Sequence, residues 1–199
     1  MAFHEDWYPE AQLQNLLRVC RYVKGLTGAM LEIGSWEGKS TVALANTCYP
    51  ETLVAVDSWL GNIAEDPNHY HVRLLAERDV YGTFCDNIKT LTRGNVQIER
   101  ADCFAFMDTF TEPIKFCHVD ASHDYASVKR TLEQVLPLIV EGGIMCGDDY
   151  VSANMHRADL QGGVQRAVME VLPDHYSAGN FWFWRKQAAA GSGAESRVA

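Results

Sequence analysis

Short apolar runs alternate with longer amphipathic stretches along most of the chain. Ala29-Met30-Leu31-Glu32-Ile33, Leu53-Val54-Ala55-Val56-Asp57, Val96-Gln97-Ile98, Ile114 to Val119 and Gly143 to Gly147 have strand length and strand content. Before the first of them, Leu13, Leu16, Leu17 and Cys20 recur at i, i+3, i+4, i+7, which predicts an amphipathic helix opening at Pro9-Glu10 and ending near Gly25. Further helices are predicted from Gly38 to Cys48, over a stretch without a sharp start that runs to Leu91, and from Ala101 to Phe110. Tyr125, Val128, Leu132, Val135, Leu136 and Ile139 form one helical stripe whose last turn Pro137 bends, and Val164 to Leu172 forms another. The alternation β-α-β-α-β-α-β-α-β predicts an α/β fold with a parallel sheet covered by helices on both faces. Phe181-Trp182-Phe183-Trp184 has strand composition with no βα unit after it, so it pairs antiparallel, at an edge or inside the sheet.

With 199 residues, 47% of them hydrophobic, the chain fits a single domain with an ample core. The aperiodic, small and polar residues 187–199 read as a disordered tail, native or added. The Gly/Pro-containing stretch from Ser58 to Asn68 is long for a βα connection and reads as a lid or a substrate wall. Formal charge is −9, which disfavours a nucleic-acid partner, because phosphate backbones call for clustered Lys and Arg. No membrane-length apolar run and no signal-peptide pattern is present, so the expected location is the cytoplasm. Six cysteines without a C-x-x-C pair read as reduced, mostly buried thiols. The aromatic residues serve the core or a homo-oligomer contact, and the sequence leaves that open.

The candidate chemistry sits where the apolar runs end. Asp120 follows one run and the pair Asp148-Asp149 follows another. If both runs are parallel strands joined by the intervening helix, their carboxylates emerge at one sheet edge. Three clustered carboxylates repel unless a cation sits among them, which makes a candidate metal site. At the first run, Gly34-Ser35-Trp36-Glu37-Gly38-Lys39-Ser40-Thr41 invites comparison with a phosphate-binding P-loop, but three residues instead of four precede Gly38-Lys39-Ser40. The dinucleotide fingerprint fails too, with Trp at position 36. What remains is a strand, a glycine turn and a helix N-terminus with free N–H groups, suited to a carboxylate. Glu32 beside it suits an amino group, and Asp57 at the next strand tip suits ribose hydroxyls. S-adenosylmethionine carries all three groups. The competing reading is a plain tight turn capped by Glu32.

At these residues the chain resembles class I S-adenosylmethionine-dependent methyltransferases. Leu31 to Ser40 resembles the first motif of catechol-type O-methyltransferases. His118-Val119-Asp120-Ala121-Ser122-His123-Asp124-Tyr125, with Gly142-Gly143 and Asp148-Asp149-Tyr150, resembles more closely a small bacterial group that includes macrolide-sugar O-methyltransferases. The resemblance covers residues 29–185. It implies one Rossmann-like domain over residues 1–186, with a helical segment at 1–28. It also implies a mostly parallel seven-stranded sheet with a C-terminal antiparallel strand. By the same resemblance Gly34, Ser35, Trp36, Gly38 and Ser40 cradle the methionine part of S-adenosylmethionine, Asp57 and Ser58 meet the ribose, and Asp102 and Cys103 flank the adenine. Asp120, Asp148 and Asp149 bind a divalent cation, Mg²⁺ by the all-oxygen ligand set, and Asp120 also touches the cofactor. His123 stands where the catechol enzymes have lysine and the sugar enzymes histidine, and Asp149 stands where the catechol enzymes have asparagine. Both departures favour a sugar-like or other aliphatic hydroxyl on a small-molecule acceptor.

The expected reaction is methyl transfer to a hydroxyl, with His123 as general base, kept neutral by the nearby metal charge. Alternatives are a metal-independent N- or O-methyltransferase, a P-loop-like phosphotransferase, and a non-catalytic domain with a retained cofactor pocket. Asp124 is expected to cap a helix, His118 to be a packed core histidine, and His69, His71 and His156 to be loop histidines in or near acceptor walls at Ser58 to His71 and Tyr150 to Gly163. Trp7 and Tyr8 are expected to pack on the domain rather than to form a lid.

Overall fold

In the computed structural model the sheet edge forms as the apolar runs imply. The structure describes residues 3–5, 7–61, 70–151 and 162–187. Seven strands, β1 (Ala29–Ile33), β2 (Leu53–Asp57), β3 (Val96–Arg100), β4 (Ile114–Val119), β5 (Ile139–Gly147), β6 (Tyr176–Ala178) and β7 (Phe181–Arg185), form one sheet in the order β3-β2-β1-β4-β5-β7-β6. The first five are parallel. Ile33 lies opposite both Val56 and Val119, and Val119 opposite Gly147. This register lines up the carboxyl ends of β1, β2, β4 and β5, so Gly34, Asp57, Asp120 and Asp148 leave the sheet at one edge. The strand order reverses between β1 and β4, the place where open α/β sheets form a ligand crevice.

The strand Phe181–Arg185 is the antiparallel one, and it sits inside the sheet between β5 and β6. Trp182 is fully buried there. Alternate residues of the central strands feed two cores, as the pleat requires. Leu31, Ile33, Cys117 and Met145 pack on one face under α5 (Cys103–Thr109), α6 (Tyr125–Val135) and α7 (Gly163–Val171). Met30, Phe116 and Ile144 pack on the other under α1 (Glu10–Tyr22) and α2 (Lys39–Cys48). A third cluster joins Ala55 and Trp59 to α4 (Val80–Leu91).

The structure corrects several element boundaries. The stretch leading to Leu91 is two helices, α3 (Tyr70–Glu77) and α4, because the Asp79 carboxylate caps the second by accepting from Gly82 N at 2.8 Å. The stripe ending at Ile139 is α6 followed by one tighter turn, Leu136–Leu138, where Pro137 supplies no N–H for another α-turn. Ile139 instead opens β5 opposite Ile114. Strand β3 runs on to Arg100. All six cysteines are free, with Cys20, Cys117 and Cys146 buried. Among the described residues no helix is long and apolar enough to cross a membrane. The tail beyond Gln187, most of the Ser58 to Asn68 stretch, His69 and His156 lie outside the described residues.

Candidate active site

The glycine loop is held from beneath by two acids, half-buried Asp57 and buried Glu32. Asp57 Oδ2 accepts from the backbone N–H groups of Ser35 at 2.9 Å and Trp36 at 3.0 Å, and its Oδ1 accepts from Trp59 N at 2.8 Å. Trp59 in turn donates its indole N–H to the Trp36 carbonyl at 2.8 Å. Glu32 is fully buried. Its Oε2 accepts from Ser35 Oγ at 3.2 Å and from Thr41 Oγ1, while its Oε1 lies 3.1 Å from His118 Nδ1. His118 is therefore a core histidine with an ionic partner. Burial opposes its charge, but the hydrogen bond to Glu32 and the charges of Glu32, Asp120 and Asp148 together outweigh burial and raise its pKa. These anchors explain the loop's backbone. Gly34 takes φ +90°, and a Cβ there would run into the Asp120 carbonyl, so β1 and β4 approach each other only because position 34 is glycine. Trp36 is held at φ 48°, an unusual value for a bulky residue.

Helix α2 starts after Gly38 in a left-handed conformation, and no side chain caps its first turn. Ser40 is buried in that turn. The Trp36 indole nitrogen is buried without a partner among the described residues. An uncapped helix N-terminus, a glycine-built cradle and an orphaned donor fit a carboxylate-bearing ligand such as the methionine part of S-adenosylmethionine. Lys39, the residue a P-loop would aim at phosphate, donates instead to the Tyr8 carbonyl at 2.8 Å. Further along the edge, Ser58 Oγ accepts from Leu60 N at 3.2 Å, and Asp102 caps α5 through Ala105 N at 3.0 Å, with half-buried Cys103 opening that helix.

The second half of the site lies at the ends of β4 and β5. His123 Nε2 is 2.9 Å from Asp149 Oδ2 and 3.9 Å from Asp120 Oδ1. Asp120, His123 and Asp149 present donor atoms that all lie within 4.8 Å of one another. Asp149 sits at φ 58°, a left-handed turn that aspartate tolerates better than most residues. Its neighbour Tyr150 is buried and hydrogen-bonded to His175 Nε2 at 2.7 Å, which anchors the turn. The turn before α6 is fixed by the Asp124 cap on Ser127 N at 2.9 Å. It is also pressed by Gly163, where a Cβ would collide with the His123 carbonyl.

Asp148 lies beside this cluster, 7% exposed, and its Oδ1 has no partner among the described residues. Burial, then the charges of Asp120 and Asp149, push its pKa up to about 7. Burial also opposes charge on His123, but the Asp120 and Asp149 carboxylates outweigh it and raise its pKa to about 10. The expected depression of His123 is thus reversed in the metal-free chain, where two carboxylates surround it. Asp120 keeps a lowered pKa; burial pushes it up, but His123 and His118 prevail. An orphaned buried carboxylate oxygen beside two further acids fits a hard divalent cation with oxygen ligands.

Sequence reading missed the partners beneath the loop and expected His71 in a loop, whereas it belongs to α3. Trp7 packs on the His71 ring at 4.8 Å and on Trp36 at 5.3 Å. His71 belongs to the first turn of α3 and contributes to the lowered pKa of Asp120. Tyr8 is buried, its hydroxyl 3.3 Å from His118 Nε2. Both N-terminal aromatics therefore pack on the domain.

The comparisons with known proteins agree with this architecture. No curated protein sequence matches the chain. Among solved structures it is similar to the O-methyltransferase NovP, at TM-score 0.67 and 17% identity over 89% of this chain and 80% of that one. It is also similar to the O-methyltransferase TomG from Streptomyces achromogenes, involved in tomaymycin synthesis and solved in complex with SAM (TM-score 0.63, 16% identity, 91% and 81% covered). An O-methyltransferase from Bacillus cereus in complex with SAH gives TM-score 0.60 at 18% identity, with 88% and 80% covered. At such identities the likeness establishes the fold, the seven-stranded class I methyltransferase sheet. A family model described as a methyltransferase domain matches residues 31–150, from the strand before the glycine loop to the residue after Asp149, and the chain belongs to that methyltransferase family.

Proposed function

We propose that the chain transfers a methyl group from S-adenosylmethionine to a hydroxyl of a small molecule bearing neighbouring oxygens, such as a sugar or vicinal diol, with a divalent cation at Asp120, Asp148 and Asp149. The observation that carries this reading is the buried Asp148 Oδ1, without a partner among the described residues, beside Asp120 and Asp149. A cation there supplies the charge that brings an alcohol's pKa within reach of a side-chain base, and the sulfonium supplies an activated methyl group. Gly34, Ser35, Trp36, Gly38 and Ser40 cradle the methionine moiety, with Glu32 fixing Ser35 and Thr41 from below. Asp57 has an acceptor position left for a ribose hydroxyl after its three N–H contacts. Ser58, Asp102 and Cys103 flank the nucleoside.

His123 is the base. In the metal-free chain it holds its proton between Asp120 and Asp149. Once those carboxylates are committed to a cation, His123 returns to a neutral imidazole able to accept a hydroxyl proton. A second reading has His123 as a ligand, favoured by its donor atom lying within 4.8 Å of those of Asp120 and Asp149.

The test is methyl transfer from labelled S-adenosylmethionine to a panel of sugars and vicinal diols, with Mg²⁺ or with chelator. Transfer lost in chelator and restored by Mg²⁺ is expected. Transfer indifferent to chelator points to the metal-independent alternative. His123→Ala separates the two histidine roles: a base loses turnover and keeps cation affinity, whereas a ligand loses both.

A further inference from the structure

The described residues before α1 lie across the glycine loop. His4 N donates to Glu37 Oε2 at 2.7 Å, and its ring Nδ1 is 2.9 Å from Glu37 Oε1. Arg78 pairs with Glu5 and lies 3.1 Å from Glu37. Lys39 Nζ reaches the Tyr8 carbonyl, and Trp7 packs on Trp36. Three contact points of the cradle, Trp36, Glu37 and Lys39, are thus held by Trp7, His4 and Tyr8 respectively.

A second connection runs underneath. The Tyr8 hydroxyl meets His118 Nε2, His118 Nδ1 meets Glu32 Oε1, and Glu32 Oε2 takes the hydroxyls of Ser35 and Thr41. An ionised carboxylate only accepts, so Nδ1 of His118 carries the proton that faces Glu32 and Nε2 is left for Tyr8. Every member of this line is less than one-tenth exposed. Burying an imidazole and a carboxylate together costs desolvation that an apolar pair would avoid, so the line is not explained by packing alone.

We infer that Tyr8 and His118 are positioning residues for the cofactor cradle, joining the seating of His4, Glu5, Trp7 and Tyr8 to the geometry of Ser35 and Thr41. The inference rests on the reading that S-adenosylmethionine binds at the glycine loop. Seating of the segment and cofactor binding then form one linked equilibrium, and linkage is reciprocal. The cofactor holds the segment down as much as the segment holds the cradle.

Tyr8→Phe keeps the ring and deletes the hydroxyl. Calorimetric titration with S-adenosylhomocysteine is expected to give an affinity about 3- to 10-fold weaker than wild type, the range for one lost buried hydrogen bond, with little change in thermal midpoint. His118→Asn, which keeps a donor at the Nδ1 position, is expected to resemble Tyr8→Phe. His118→Gln, which keeps one at the Nε2 position, is expected to bind more weakly still. In the wild-type protein, S-adenosylhomocysteine is expected to slow amide hydrogen exchange in residues 3–8, a readout that no variant's misfolding can obscure. Unchanged affinity in Tyr8→Phe, or exchange in residues 3–8 indifferent to S-adenosylhomocysteine, overturns the inference. If the wild-type protein takes up no S-adenosylhomocysteine at all, the cofactor reading falls and this inference falls with it.

Discussion

The two halves of the site are built on opposite electrostatic plans. At the glycine loop both acids beneath the turn are answered by their own chain. Glu32 has His118, Ser35 and Thr41, and Asp57 has three backbone N–H groups. At the ends of β4 and β5 the acids are left short. Among the described residues Asp148 keeps an unpartnered oxygen and a pKa near 7, and the His123 imidazole lies between Asp120 and Asp149. A satisfied network is a rigid mould, complete before any ligand arrives. An unsatisfied one carries a cost that a cation would remove, which is the physical content of calling it a metal site.

The sharpest way to break this contrast is to remove one side chain from each half. Glu32→Ala strands His118 and two hydroxyls in the core, and the expected loss is about 3–5 kcal/mol of folding stability, with or without cation, read by denaturant unfolding. His123→Ala leaves the mould intact. Turnover is expected to fall about 10²- to 10⁴-fold, while calorimetry shows cofactor affinity close to wild type.

Asp148→Asn inverts the usual sign. The folded-state pKa of Asp148 is about 7, raised from 3.8, so the folded protein holds the proton more tightly than the unfolded chain. The penalty of the buried charge is absent below the unfolded pKa, grows as pH rises, and is complete above the folded one. Metal-free Asp148→Asn should therefore exceed wild type in stability by on the order of 1–3 kcal/mol above about pH 8, with no gain near pH 4. Thermal unfolding in chelator checks this. Added Mg²⁺ should reverse the order, because only the wild type gains a bound ion. The smallest effect expected is Trp182→Phe, which removes an indole N–H buried without a partner among the described residues, beside the same recess as Asp148. Stability should move by no more than about 1 kcal/mol, and a large loss would mean that the indole holds the carboxylate in place.

Much of the frame was legible because its signals are local. The strands at Ala29, Leu53 and Ile114 carry runs bounded by glycine, proline or aspartate, and Asp124 caps its helix through a residue three positions on. The juxtaposition of Asp120 with Asp148 and Asp149 followed from strand polarity and strand length. What stayed hidden depends on distance along the chain. Strand β6 is three exposed residues without alternation, and only its pairing with β7 defines it. The break between α3 and α4 rests on one capping carboxylate inside an otherwise continuous helical pattern. His118 looked like packing because its partner lies 86 residues away. Asp57 read only as a ligand-binding acid and Glu32 as that or a cap of the turn, since the amides and hydroxyls they hold become neighbours only when β1 pairs with β2 and β4.

The central claim is that the unsatisfied half of the site takes a divalent cation. Calorimetric titration of Mg²⁺ into the S-adenosylhomocysteine-bound protein at about pH 8, wild type beside Asp148→Asn, tests it most directly. The account predicts roughly one ion per chain in the wild type and affinity at least about 30-fold weaker in the variant. No uptake by the wild type at millimolar Mg²⁺, or equal affinity in the two proteins, would contradict it.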